Sequence, residues 1–354
     1  MRILVATDAW RPQVNGVVRT YERLEEELHA FGVETEFLTP AEFRSVPCPT
    51  YPEIRLAIPG YSHLVERLAD IKPDAIHIAT EGPVGCMTRH WCLSRRVPFT
   101  TSFHTRFPEY LNARFGVPIA WTYAAQRRFH NAGAGMMVAS RTLAGELEAR
   151  GFERIMPWSR GVDTEQFHPA PVRLFGDQTV FLYTGRVAVE KNLDAFLRLD
   201  LPGRKVIIGA GPMLETLKAR YPEVLFTGKK TGADLAACYA SADVFVFPSL
   251  TDTFGIVLLE AMASGLPVAA FPVTGPIDNV VDGVTGSLDR DLRKACLAAL
   301  EIDRARVRAH AMSLGWDMTA RLFLSNIESA LFAAQGRRVP ARRAALARRR
   351  PRSA

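Results

Sequence analysis

Residues 244–272 read VFVFPSLTDTFGIVLLEAMASGLPVAAFP. Val244–Phe247 is a short apolar run of the kind that forms a strand buried on both faces, and residues 249–253 are a polar loop. Residues 255–264 then have helical length and stop at Gly265, and residues 267–271 start another buried run. Strand, loop, helix and strand in this order are one unit of a parallel α/β sheet. Within it stand two acids, Asp252 and Glu260, with a Phe254-Gly255 pair just after the first. Asp252 falls just outside the first helical turn, near the positive end of the helix dipole. Glu260 lies between Leu259 and Ala261, where a carboxylate needs a partner. Either the acids are a solvated cap and a buried helical glutamate, or they hold a polar ligand such as sugar hydroxyls and a diol.

The same grammar extends in both directions. On the N-terminal side, RILVAT, VETEFLTP, PDAIHIAT, PFTTSFHT and GMMVASR are β-prone runs. Between them lie helical patterns such as Val17, Val18, Tyr21, Leu24 and Leu28, then SHLVERLAD and LAGELEARG. Periodicity lapses over 161–176, GVDTEQFHPAPVRLFG, and restarts with TVFLYTG, KVIIGAG and EVLFTG. The chain therefore reads as two Rossmann-like α/β domains, 1–165 and 166–315, meeting at a hinge, with ligands beyond the carboxyl ends of the strands and a cleft between facing loops. A last amphipathic helix within 316–336 returns to the first domain in this reading. Residues 337–354 are an arginine-rich tail read as disordered.

Composition narrows the classes. An apolar share of 48% and a charged share of 23% are ordinary for a globular protein. The net charge of +7 misleads, because residues 337–354 hold eight arginines and no acid, leaving the other 336 residues near −1. That is a basic tail rather than a basic surface, and without aromatic interleaving it points to no specific nucleic acid. The five cysteines form no CxxC pair, and the eight histidines no HExxH spacing. Both patterns argue against a disulfide scaffold or an essential protein-bound metal. No apolar run reaches spanning length and MRILVATDAW is no signal peptide, so the expected location is cytoplasmic, with peripheral contact at the inner membrane's cytoplasmic face.

Four further loops carry polar residues suited to chemistry. In YTGRVAVEKNLDAFLRL, Arg186 and Lys191 sit at a strand-to-helix turn, where two cations and free helix N–H groups make a diphosphate site or plain solvated charge. Glu190 is available as an ion-pair partner for Lys191. Gly16 in NGVV would let a backbone N–H approach a phosphate, or is simply a permissive turn. GAGP, 209–212, is a tight turn with the same two readings. His104, directly after the strand in TTSFHT, either bonds a substrate hydroxyl or is a satisfied core histidine.

Taken together, NGVVRT, SFHTRFPEY, GRVAVEKNL, GAGP, DLAACYASADVFVFPSLTDTFGIVLLEAMASGLPVAA and VVDGVTGSL resemble the retaining glycosyltransferases of family 4, which have the GT-B architecture. The resemblance runs over about residues 1–333. It implies that Arg186 and Lys191 bind the donor diphosphate, that Gly16 meets the distal phosphate, and that His104 touches the donor sugar near its sixth carbon. Asp252 and Glu260 fall on the two acids of the family's E-x7-E element. The first usually meets sugar hydroxyls and the second the ribose. Phe254 and Gly255 fall on the donor side. Asp252 departs from the common glutamate by one methylene, which leaves the sugar's identity open. The resemblance implies a nucleotide-diphosphate sugar as co-substrate, UDP-glucose or UDP-glucuronate in type, with no bound cofactor. The SFHTRFPEY and TDTFG variants are similar to glycolipid-forming members and suggest a membrane lipid such as diacylglycerol as acceptor. The alternatives are a GDP-mannose-dependent mannosyltransferase acting on a lipid or saccharide, an enzyme that isomerises a nucleotide sugar, and a non-catalytic binding protein on the same fold.

Residues 106–129 mix arginines with aromatics. Arg106, Tyr110, Arg127 and Arg128 are therefore candidates for an acceptor or membrane side, the alternative being an ordinary helix with solvated arginines.

Overall fold

The computed structural model describes residues 1–13, 16–48, 51–58, 60–252 and 254–336, without the side chains of 48, 51–54, 113 and 114. The arginine-rich tail, Asn15 of the NGVV turn and the Arg114 side chain lie outside what is described. By its contacts the chain forms two units, one of Met1–Ser159 with the segment from Trp316 onward, the other of Arg160–Gly315.

The first unit contains β1 (Arg2–Ala6), β2 (Glu34–Leu38), β3 (Ser45–Cys48), β4 (Tyr51–Ala57), β5 (Ala75–Ile78), β6 (Thr100–Phe103), β7 (Gly135–Val138) and β8 (Ile155–Pro157). Six of these make a parallel sheet in the order β2-β1-β5-β6-β7-β8, while β3 and β4 pair with each other in antiparallel fashion. Strand periodicity divides the core between the two faces. Leu4, Ala6, Ile76 and Ile78 pack with Leu64, Leu68, Val84 and Phe99. Ile3, Val5 and Ala75 pack on the other face with Tyr21, Leu24 and Leu28 of the helix Gly16–Ala30. That second face also takes Ala320, Phe323 and Ile327 of the helix Trp316–Ala334. Their three- and four-residue spacing presents one helical stripe to the sheet.

The second unit contains β9 (Val180–Thr184), β10 (Arg204–Ile208), β11 (Leu225–Gly228), β12 (Val244–Phe247), β13 (Val268–Ala270) and β14 (Gly286–Leu288). They form an all-parallel sheet ordered β11-β10-β9-β12-β13-β14. β9, β12 and β13 are buried throughout, as strands covered by helices on both faces must be. The chain leaves β9 to one side and returns to its other side as β12. This is the topological switch point, where the loops leaving adjacent strands diverge and make room for a ligand. The edge strands β8 (Ile155–Pro157) and β14 (Gly286–Leu288), three residues each, carry little of the apolar signal that marks the others.

Candidate functional site

In the second unit, the loops leaving β9 and β12 place Arg186, Lys191 and Asp252 at that switch point. Tyr183, on β9, donates its phenol proton to the carbonyl of Arg186 at 2.9 Å. Burial pushes the Tyr183 phenol well above its ordinary range, so it remains a donor. The GAGP turn braces the same loop from behind. Val187 N–H bonds Ala210 O at 3.0 Å and Gly185 N–H bonds Ile208 O at 2.9 Å. A Cβ on Gly209 would stand 1.8 Å from Gly185 O, and one on Gly211 would stand 2.3 Å from Val187 O. These glycines permit one backbone to lie against another, which gives the turn a structural reason independent of any ligand.

Lys191 does not start a helix. It closes a single 3-10 turn, Val189–Lys191, and Asn192 follows in the left-handed region at φ 51°. The helix beyond it, Leu193–Leu197, has five residues. Asparagine tolerates this backbone better than most residues, and here it breaks the helix one turn late. The helix dipole expected to support an anion is correspondingly small, and the charge at this loop comes from the side chains. Asn192 Nδ2 also bonds Pro248 O at 3.1 Å, tying the lysine's turn to the end of β12.

Adjacency offers Glu190 as an ion-pair partner for Lys191, whose ammonium can hold more than one acceptor. The structure supplies a carboxylate from a different loop, with Lys191 Nζ 2.5 Å from Asp252 Oδ1 and both side chains about one-fifth exposed. The second oxygen, Asp252 Oδ2, is buried and has no hydrogen-bond partner among the described residues. An ionised carboxylate oxygen in that state is costly unless something polar comes to it. The loop is held by Asn279, whose Nδ2 donates to Phe254 O at 2.7 Å and to Gly275 O at 3.0 Å. Phe254 is buried, and Gly255, at φ 82°, precedes the helix Ile256–Ala263. Asp252 therefore stands before the helix as expected, but in an ion pair rather than as a solvated cap.

Glu260 is 4% exposed, and the partner that its burial demands is Tyr239, whose phenol donates to Oε2 at 2.8 Å. Tyr239 also bonds the hydroxyl of Thr184 at the end of β9. Neither partner was foreseen. Tyr239 lies in the helix Gly232–Ala240, and only tertiary packing brings it to the acid.

In the first unit, His104 follows β6 directly and is half-buried, with Nε2 3.0 Å from the Tyr21 phenol oxygen. One partner of His104 is thus a side chain from the helix Gly16–Ala30. Gly16 is the first residue of that helix, and its carbonyl accepts from Thr20 Oγ1 at 2.6 Å. Asp8, just after β1, was missed by sequence reasoning. Its Oδ1 accepts from Val84 N–H at 2.8 Å, and its Oδ2 from Thr80 Oγ1 at 2.9 Å and Gly85 N–H at 3.3 Å. Burial raises its carboxyl above the ordinary range, and these hydrogen bonds oppose that rise. An acid closely following a buried strand was a signal that could have found it.

One candidate is corrected outright. Arg106 is 8% exposed, and its guanidinium forks onto Glu146 at 2.8 and 3.0 Å, with Glu109 at 3.7 Å. A bidentate pair of this kind removes it from any membrane-facing surface. Tyr110 is half-buried, whereas Arg127 and Arg128 are exposed. Among the described residues no group of three or more His, Cys, Asp or Glu side chains could hold a metal ion.

Comparison with known proteins agrees with this architecture. Residues 178–301 match the family described as "Glycosyl transferases group 1", and residues 14–166 match "Glycosyltransferase Family 4". The sulfoquinovosyl transferase SQD2 of Arabidopsis thaliana is 32% identical over 77% of this chain, a match spanning 56% of that protein's length. A GDP-mannose-dependent alpha-mannosyltransferase of Mycobacterium tuberculosis is 30% identical over 81% of this chain and 83% of its own. Among solved structures, the sucrose-phosphate synthase of Thermosynechococcus elongatus superposes with a TM-score of 0.76 at 21% identity, covering 94% of this chain and 99% of that one. The chain is a glycosyltransferase of family 4, with the two Rossmann-like units of the GT-B architecture.

Proposed function

We propose that the protein transfers a hexosyl unit, with retention, from a nucleotide-diphosphate sugar of the UDP-glucose or UDP-glucuronate type to a hydroxyl of a membrane lipid such as diacylglycerol. The observation that carries the reading is the Lys191–Asp252 pair, with one carboxylate oxygen buried beside a cation and without a partner among the described residues. An ammonium has three N–H donors, so Lys191 can keep Asp252 and still receive a phosphate oxygen. Asp252 Oδ2 can accept from a hydroxyl of the sugar joined to that phosphate.

In the reaction, the bond from the anomeric carbon to the β-phosphate oxygen breaks. The acceptor oxygen bonds that carbon on the same face, and its proton passes to the departing phosphate. Charge grows on the phosphate as the bond lengthens, and Arg186 and Lys191 neutralise it where it develops. Glu260 would accept from the ribose, its orientation set by Tyr239. Gly16 and His104 keep the roles that the family resemblance gives them. No protein general base is required.

The lipid acceptor is supported by the helices Phe107–Phe115 and Ile119–His130. Trp121 is 73% exposed and Phe115 58%, with Phe107 and Ile119 also exposed. Arg127 and Arg128 flank them in solvent. Aromatics beside arginines suit the headgroup layer of an anionic bilayer, which would place the protein on the cytoplasmic face of a membrane. No described helix is long and apolar enough to cross one.

A second reading, a GDP-mannose-dependent α-mannosyltransferase, is favoured by the mycobacterial relative matched over 83% of its length. Mass spectrometry of products from a panel of UDP- and GDP-sugars, offered with diacylglycerol and with oligosaccharides, separates the two. Near-normal transfer by folded Lys191→Ala and Glu260→Ala variants would sink both.

A further inference from the structure

The first unit has a switch point of its own. The chain leaves β1 on one side as β2 and returns on the other side as β5, so the loops beyond these two strands diverge. Asp8 stands just after β1 and Glu81 just after β5. Asp8 serves the fold, since its hydrogen bonds from Thr80, Val84 and Gly85 hold the loop that carries Glu81. A Cβ on Gly82 would stand 2.4 Å from Asp8 Cγ, so the backbone after Glu81 lies directly against that carboxyl. The Glu81 side chain is 12% exposed and is held from behind. Its Oε1 accepts from Gln126 Nε2 at 3.1 Å and lies 3.0 Å from His130 Nε2. A carboxylate has no proton to give, so His130 Nε2 carries the hydrogen of that pair. His130 Nδ1 is 2.9 Å from Thr101 Oγ1, and Phe103, Phe129 and Phe152 pack around the ring. Two hydrogen-bonding positions stay open. Glu81 Oε2 has no partner among the described residues. Gln126 is 8% exposed, and its Oε1 is buried without a partner among them.

We propose that Glu81 and Gln126 form a subsite for an uncharged hydroxyl of the acceptor, one other than the hydroxyl that is glycosylated. Both open positions are oxygens with lone pairs, so the group that completes them is a hydrogen-bond donor. The local charge opposes an anion. The Glu81 carboxylate adds to burial in pushing the Asp8 carboxyl above its ordinary range. Arg89, a cation on the helix Pro83–Arg95, donates to the carbonyls of Phe129 and Arg128 rather than to either acid. A phosphate brought here would meet two acids and an amide oxygen, whereas an alcohol can donate to either open oxygen. The reacting hydroxyl is not the one held, because its proton passes to the departing phosphate. The acceptor must therefore carry a second hydroxyl, which narrows its class to a polyhydroxylated headgroup. Diacylglycerol, with a single hydroxyl, would leave the subsite to water. The inference rests on the reading of the chain as a transferase to an alcohol.

The test compares 1-O-alkylglycerol, its 2-O-methyl ether and its 2-phosphate in neutral detergent micelles. All three keep the 3-hydroxyl as nucleophile and differ only at the neighbouring position. Binding is followed by NMR at the imidazole nitrogens of His130, which touches Glu81, and transfer is measured with the donor chosen from the sugar panel. The free diol should bind about tenfold more tightly than the methyl ether, and the phosphate more weakly still. Glu81→Gln keeps the side chain's size and removes its charge. The preference for diol over ether should then fall to within about threefold, and the phosphate should gain. Gln126→Met removes the buried oxygen and should reduce the same preference, while in both variants the donor KM stays within about twofold. Equal binding of diol and ether by the unsubstituted protein, tighter binding of the phosphate, His130 nitrogens unmoved by the diol, or either folded variant with the full preference would each overturn the proposal. Should a variant fail to fold, the order of binding to the unsubstituted protein decides by itself. Absence of transfer together with the expected order of binding would instead defeat the functional reading and leave the subsite standing.

Discussion

The two units terminate their sheets in different chemistry. At the strand ends of the second, a cation and an acid face each other across adjacent loops, and the buried Asp252 Oδ2 has no donor among the described residues. At those of the first, Asp8 and the Tyr21 phenol are met by groups from neighbouring elements. Asp8 accepts two backbone N–H groups and a hydroxyl, and a phenol joins two histidines. The second arrangement holds charge ready for an incoming group. The first fixes the orientation of rings and turns. A group met by several fixed partners is held rigidly, whereas a buried carboxylate oxygen lying beside a cation at a switch point can take up a ligand.

The largest break in that contrast should come from Lys191→Ala. Loss of a cation placed where charge develops costs on the order of 3 kcal/mol, so transfer should slow about a hundredfold in a protein that still folds. A fall of less than about threefold would make the Lys191–Asp252 pair a structural one. Tyr239→Phe tests the orientation of Glu260 and should raise the donor KM about tenfold with a smaller change in kcat. It should also cost about 1 kcal/mol of stability in chemical denaturation. An unchanged KM would detach Glu260 from the donor.

A smaller effect is expected on the first unit's surface. The paired change of Phe115→Ser and Trp121→Ser should weaken sedimentation with anionic vesicles several-fold while leaving the melting temperature within a degree or so. Unaltered sedimentation would remove these helices from the membrane. Asp8 gives the smallest signal. Its folded carboxyl titrates above the ordinary 3.8 because of burial, so the unfolded chain releases this proton first. Stability should therefore fall as pH rises from about 3.8 through the raised folded value, then level off. Asp8→Asn should flatten that portion of a urea-midpoint curve, and a slope of opposite sign that disappears in the variant would contradict the assignment.

Much of this was legible before any coordinates. The buried runs at Val180–Thr184 and Val244–Phe247, the helix stopped at Gly265, and His104 at the end of β6 were all visible, because fully covered parallel strands leave long apolar blocks and their loops carry the remaining polar residues. The partners of those residues were not. Asp252 reaches Lys191 across sixty-one positions and Tyr239 reaches Glu260 across twenty-one, and local periodicity does not report such pairings. Arg106 misled for the same reason, since beside aromatics it read as a surface charge until Glu146 was found forty residues away.

By itself the sequence determined the alternation of strands and helices, the split into two α/β halves, and which loops would bear cations and acids, because each follows from spacing along the chain. Only the tertiary structure decided that the lysine is held by the aspartate, that the buried glutamate leans on a tyrosine, and that two histidines share one phenol. Hydrogen bonds and ion pairs are set by distances of a few ångströms between loops that the order of the sheet strands brings together, and that order is a property of the packed fold.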